Sequence, residues 1–187
     1  METEQKTTKT ASDAHVASAV RTAAELMALA ARTAPKAVGQ DFVVIEILEG
    51  DDIRRLGQAM IQYGEETGKN NFDRDGENVL RSEAVLLLGL KDGEVIGLDC
   101  GACGEPTCLV PNQMEVEFRG PQCAIRLLDL GIALGSAVKT ASMLNVDNRI
   151  MYRIGVLARK LGLIDADVVM GVPLSASGKN IYFDRPA

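Results

Sequence analysis

The sequence predicts an α+β domain that carries a cysteine-rich loop, and three observations point there. Residues 42–48, 84–90 and 168–172 are apolar runs of strand length, rich in Val, Ile and Leu. Around them lie longer segments whose apolar residues recur at helical spacing. Residues 97–120 show neither period and combine glycines with three of the chain's 4 cysteines.

The elements are expected in the following order. Residues 1–12 are polar and mixed in charge, and read as a disordered tail ahead of one domain, 13–187. A first helix, capped by Ser12 or Asp13, runs to about Thr33 and is stopped by Pro35; its Ala-rich circumference suits burial. The first strand, 42–48, is followed by a helix capped by Asp51 and Asp52, with Ile53, Leu56, Met60 and Ile61 on one face. Residues 67–82 are polar and read as a long loop or broken helix. After the second strand, 84–90, Asp92 and Gly93 signal a turn, and residues 95–98 are read as a short strand pairing back.

Residues 121–144 form a long helix, apolar nearly all round, with Asn145 as its C-cap. Such a helix belongs in a core or a subunit interface, and Gly131, Gly135 and Ser136 allow a close crossing within one subunit or across a dimer. Asp129 and Lys139 are charges in this apolar setting and require partners. Residues 148–161 read as an amphipathic helix ending at Gly162; the third strand, 168–172, precedes a polar, extended tail from Ser175.

Composition excludes several functions. Net charge is −6, and no run of Lys and Arg offers a stripe for tracking phosphates, so nucleic acid is not an expected partner. No apolar stretch approaches the roughly 20 residues of a membrane span, and the N-terminus lacks a basic start feeding an apolar segment. A cytoplasmic protein is expected, and there four cysteines within 24 residues suggest metal rather than disulfides. His15 is the lone histidine, which excludes His-rich metal sites and leaves a Ser-His-Asp triad without support.

The cysteines are spaced Cys100-x2-Cys103-x4-Cys108-x14-Cys123. Three thiolates within nine residues can converge on one centre, because Gly101 and Gly104 permit the positive φ that turns backbone N–H groups toward sulfur. Pro106 stiffens the turn, and Cys123 falls at a helix start, where the dipole favours a ligated thiolate. A four-thiolate [4Fe–4S] cluster fits this donor set. Structural or redox-sensing zinc, a [2Fe–2S] cluster and free thiols are the alternatives, although a zinc site made of four cysteines usually shows two Cys-x2-Cys knuckles and only one is present.

The stretch Cys100–Cys108 resembles the cluster loop of small four-iron modules, including those of corrinoid iron–sulfur proteins. More broadly, the chain resembles a prokaryotic family described as containing a ferredoxin domain, through residues 30–36, 72–75, 100–108, 129–133, 145–149 and 177–185. That resemblance implies a fold and a cluster cofactor on the four cysteines, and no known reaction; thiolate ligation without an acid–base constellation points to electron transfer, to a redox partner or a flavin. The opening Ala34-Pro35, strand 42–48 and Asp51-Asp52 helix, with the closing helix, strand and basic tail, is similar to the nitroreductase fold. This second likeness implies a mixed, antiparallel-rich sheet flanked by helices, a homodimer, and a cysteine loop inserted at 97–123. It also implies an FMN-dependent reductase as the alternative function. Arg21 and Arg32 do not reproduce the flavin-phosphate arginine pattern of that family's first helix, which leaves Lys179 and Arg185 as candidates for a flavin phosphate or another anion.

Three further groups have ordinary structural readings beside functional ones. Residues 175–179 are small enough to cradle a phosphate, or to make a tail turn. Arg74 and Asp75 are read as a ligand contact or a surface ion pair. Arg149, Tyr152 and Arg153 share a helix face that is either solvated or open to an anion.

Overall fold

Strand β2 (Ala84–Leu90) is buried at all seven positions, and that fact organises the molecule. The computed structural model describes residues 11–108 and 114–183. Side chains alternate across a strand, so Ala84, Leu86, Leu88 and Leu90 enter one core and Val85 and Leu87 enter another. A strand apolar on both faces needs cover on both. Helices α1 (Ala11–Thr33) and α4 (Ala124–Met143) supply the first layer. Helices α2 (Gly50–Thr67), α3 (Phe72–Leu80) and α5 (Tyr152–Lys160) supply the second.

The sheet has the order β1-β2-β6-β5, with β1 at Val43–Leu48, β5 at Asp147–Asn148 and β6 at Val168–Ser175. All three pairings are antiparallel; Val43 faces Leu90 across β1–β2, and Ala84 faces Leu174 across β2–β6. A two-residue pair, β3 (Met114–Glu115) and β4 (Arg119–Gly120), stands apart as a hairpin. Helix α5 lies directly on β6: a Cβ added at Gly155 would stand 1.8 Å from the Val169 carbonyl oxygen, so only glycine permits this approach.

Several elements depart from expectation. Residues 95–98 form no strand. The 67–82 segment is the broken helix of its two readings: α2 stops at Gly68, in the left-handed region, and α3 begins at Phe72. Glu49, not an aspartate, is the N-cap of α2, while Asp51 and Asp52 sit in its first turn, where their charge still suits the dipole. Helix α1 already includes Ser12 and Asp13, and it buries one face rather than its circumference, leaving Leu26 and Leu29 exposed. Its C-terminus is closed by Lys36, whose Nζ donates to the carbonyls of Ala31, Arg32 and Ala34 at 2.8–2.9 Å.

Helix α4 begins at Ala124 rather than Pro121, and Asn145 takes the left-handed position two residues past its last turn. Helix α5 starts at Tyr152, because Asp147 and Asn148 pair with β6 instead of winding. Strand β6 runs on through Pro173 to Ser175. The tail is not simply extended: Ile181–Phe183 is a 3-10 turn that buries Ile181 and Tyr182.

Asp75 is no surface residue. It is 2% exposed and held by two arginines, Arg74 at 2.7 Å and Arg153 at 3.0 Å. Arg153 also donates to the Asn70 carbonyl, and Arg149 donates to that of Tyr182. Arg149 precedes α5, so the expected common helix face is not formed: Arg153 clamps α3 to α5, and Arg149 holds the tail to the segment between β5 and α5. Removing a buried carboxylate that compensates two cations is costly, so Asp75→Ala is expected to lower stability by about 3–5 kcal/mol in denaturant titration. A loss below about 1 kcal/mol would match a surface pair instead.

Burial pushes the Tyr182 phenol from 10.0 up to about 12, against the hydrogen bond with Ser82 that lowers it. The folded chain therefore holds this proton more tightly than the unfolded chain. Its contribution to stability is whole below about pH 10 and is lost as pH rises toward 12. Tyr182→Phe is expected to flatten the decline in stability between pH 10 and 12, and to cost about 1 kcal/mol at neutral pH for the lost Ser82 bond. An unchanged alkaline slope in denaturant titrations would contradict this.

Candidate metal centre

The cysteine lobe leaves the sheet at the end of β2 and returns at the start of α4. Residues 91–108 have no regular secondary structure, and the β3–β4 hairpin follows on the far side of residues 109–113. One buried carboxylate, Asp167, fastens both arms: it accepts the Asp92 N–H at 2.8 Å and pairs with Arg119 of β4 at 3.2 Å. Lys91 pairs with Asp165 beside it. The hydrogen bond between them holds the Lys91 ammonium above and the Asp165 carboxyl below their usual ranges.

The hairpin is fixed to the helical layer by a second set of charges. Arg159 of α5 donates to Glu115 at 2.8 Å, which lowers that carboxyl. Glu117 pairs with Lys69 and accepts from Tyr152 Oη at 3.3 Å. Tyr152, read as part of an anion-binding face, is thus a hairpin contact, and its ring meets Phe118 edge-on at 6.3 Å.

None of the four cysteines is in a disulfide; Cys100 and Cys103 are exposed, Cys108 and Cys123 half-buried. Gly101 and Gly104 adopt φ of 69° and 91°, the positive values expected of them, and Gly104 N–H closes a turn onto the Gly101 carbonyl at 3.0 Å. Asp99, also at positive φ, forms a reciprocal pair with Cys108. Its backbone N–H donates to Cys108 Sγ at 3.2 Å, and its carboxylate accepts the Cys108 N–H at 2.7 Å. One sulfur of the loop is thereby supplied with a backbone donor before any ligand is considered.

Cys123 is the N-cap residue of α4. No side-chain hydrogen bond of proper geometry joins it to the helix, yet its sulfur lies in an electropositive setting. Burial raises the thiol, but the backbone N–H groups of Arg126, Ile96 and Ile125 and the Arg126 charge outweigh burial and hold it below its usual range. Arg126 is 0% exposed. It reaches the carbonyls of Glu94 at 2.9 Å and Ala37 at 3.1 Å, the Gln40 amide oxygen, and Asp129 at 3.3 Å, with the Phe42 ring 4.7 Å away. Asp129 has the partner expected for it and also accepts the Ala37 N–H at 2.8 Å; Lys139 is exposed.

Among the described residues, no three His, Cys, Asp or Glu side chains converge closely enough to hold a single metal ion. Four thiolates on one tetrahedral zinc stand about 3.8 Å apart, given a Zn–S bond of about 2.3 Å. A four-iron cluster spreads its thiolates over separate irons and does not gather them round one ion. The donors fit such a group chemically: four cysteines outside any disulfide, a backbone N–H directed at Cys108, Cys123 at a helix N-terminus, and glycines in the loop that carries the other three.

Of the flavin-phosphate candidates, Lys179 lies on an exposed turn closed by Ser177 Oγ donating to its carbonyl at 2.7 Å. Arg185 falls outside the described residues. Asp99 and Arg126 were missed by sequence reasoning. Asp99 adjoins Cys100, but its pairing with Cys108 depends on how the loop folds back. Arg126 stands three residues from both Cys123 and Asp129, a helical spacing that was available as a signal.

Known proteins bear on both the lobe and the sheet. A family model described as uncharacterized protein containing a ferredoxin domain (DUF2148) matches residues 119–185, a stretch that holds Cys123, Arg126 and Asp129 but not the three loop cysteines. An uncharacterized protein of Archaeoglobus fulgidus is 50% identical over 169 residues, covering 89% of this chain and 91% of that protein. Among solved structures, an FMN-dependent nitroreductase of Mycobacterium smegmatis in complex with NADPH is similar with a TM-score of 0.56 at 11% identity, over 84% of this chain and 78% of that one. Nitroreductase A of Vibrio parahaemolyticus gives a TM-score of 0.54 at 13% identity, over 86% of this chain and 60% of its own length, so the chain spans well under two thirds of that enzyme. A Desulfitobacterium hafniense nitroreductase with bound FMN gives 0.56 at 11% identity, over 84% of this chain and 78% of that one. These likenesses establish the nitroreductase-like α+β fold that the sequence predicted. On the near full-length identity to the Archaeoglobus protein and the match through the α4 end of the lobe, the chain belongs to the family of uncharacterized proteins containing a ferredoxin domain.

Proposed function

We propose that this chain is an iron–sulfur protein that holds one [4Fe–4S] cluster on Cys100, Cys103, Cys108 and Cys123 and passes electrons to a redox partner. The observation that carries this reading is the donor set: four cysteines outside any disulfide in one lobe, with the Asp99 N–H donating to the Cys108 sulfur and Cys123 at the N-cap of α4. The cluster supplies one-electron transfer. The chain's own groups hold and tune it. Asp99 N–H donates to the Cys108 sulfur, and the α4 N-terminus favours a thiolate at Cys123. The ion pairs through Asp167, Glu115 and Glu117 keep the lobe against the domain.

The fold shared with nitroreductases, one of them titled as FMN-dependent and another as binding FMN, favours a second reading: a flavin-dependent reductase fed by the cluster. Lys179 and Arg185 are the residues offered to the flavin phosphate in that reading.

The exposed face of α4 supports a homodimer. Leu128 is 60% and Ile132 47% exposed, and beside them Gly131 and Gly135 have nothing within 4 Å of an added Cβ. Ridge and groove lie on one surface, so a twofold-related copy of the helix can fill each with the other.

Protein purified without oxygen is expected to be brown and to contain about four irons and four sulfides per chain. Cys100→Ser and Cys103→Ser should each bleach it. Full iron retention in both variants, or stoichiometric zinc without iron in the parent chain, would contradict the ligand assignment. Flavin quenching on titration with micromolar FMN would support the reductase reading, and its absence would remove it. Light scattering should report a dimer that Ile132→Glu converts to monomer; a monomeric parent chain would contradict the α4 interface.

A further inference from the structure

We propose that Arg126 is the positioning residue of the cysteine centre, tying the loop's approach to α4 and raising the cluster's midpoint potential through Cys123. The inference rests on the cluster reading above and adds a named determinant of its potential.

A wholly buried guanidinium is expensive and persists only where its donors are satisfied. Arg126 meets that condition with partners from three separate segments. Its Nε donates to the Glu94 carbonyl, six residues before Cys100. Nη1 donates to Ala37 and Nη2 to Gln40, in and beside the turn that follows α1, and Nη1 also donates to Asp129 on α4 itself. The residue itself stands three positions after Cys123, on the first turn of α4. One side chain therefore joins the approach to the cysteine loop, the helix that receives it, and the α1–β1 connection.

The electrostatic consequence follows from burial. A guanidinium keeps its positive charge at any working pH, and in a low-dielectric surrounding its field on a nearby sulfur is weakly screened. Accepting an electron makes a thiolate-ligated cluster more negative. A fixed cation on the helical turn that starts at one ligand favours that reduced state, and the Asp129 carboxylate paired with it opposes it. The two charges thus set the potential in opposite directions.

The test uses the full-length chain loaded with its cluster, titrated with dithionite and redox mediators and followed by electron paramagnetic resonance. Arg126→Gln should lower the midpoint by about 59 mV or more, which is tenfold for one electron. Arg126→Lys should recover most of that shift, and Asp129→Asn should move the midpoint upward. Iron content and circular dichroism are measured on each variant. Full iron content with the wild-type midpoint in every folded variant would overturn the inference, as would iron loss in Arg126→Gln with an unmoved midpoint in Asp129→Asn. If Arg126→Gln does not fold, Asp129→Asn decides the sign: an upward shift supports the inference, and an unmoved or lowered midpoint overturns it. A parent chain without iron and sulfide would sink the cluster reading and this inference with it, whereas a loaded parent with unmoved variants sinks this inference alone.

Discussion

The burial of β2 on both faces is the constraint from which the rest of the structure follows. Seven consecutive residues with no polar side chain cannot meet water on either side, so the sheet must be sandwiched between two helical layers. The chain satisfies this by sending α1 and α4 to one face and α2, α3 and α5 to the other. Nothing in that sandwich can accommodate a cysteine loop rich in glycine and charge. The loop is expelled from the end of β2, and it stays in register because Asp167 joins both its arms beside Leu90. The sheet supplies the fixed points from which the lobe and its cysteines are held.

What was legible in the sequence had strong local signals. The strands at 42–48 and 84–90 stand out as apolar runs, and the helix-start position of Cys123 follows from the apolar stretch after it. What was missed depends on contacts distant in sequence. Tyr182 sits in a polar tail and is buried only because the Ser82 hydroxyl and the second core receive it. Asp147 and Asn148 carry no strand signal and pair because β6 offers them an edge. Pro173 reads as the end of a strand, yet it pairs with Val85 near the end of β6. Arg74 and Asp75 look like surface charges until α5 brings Arg153 to the same carboxylate.

The candidate centre divides in the same way. Cys100, Cys103, Cys108 and Cys123 declare themselves by type and spacing, and the glycines between them by their backbone freedom. The groups that would tune the centre do not. Asp99 and Arg126 act through bonds that exist only once the loop has turned back and α4 has packed against the residues after α1. The nitroreductase-like sheet domain and the cysteine loop meet at the N-terminus of α4, so a thiolate-bound group there would sit where the two join.

The central claim is that the four thiols share one four-iron cluster. Its most direct test is electron paramagnetic resonance of the anaerobically purified chain after reduction with dithionite, with iron and zinc measured on the same sample. The account predicts a signal integrating to about one unpaired spin per four irons, absent before reduction and absent from the Cys123→Ser variant. A silent spectrum from protein carrying one zinc and no iron would contradict it.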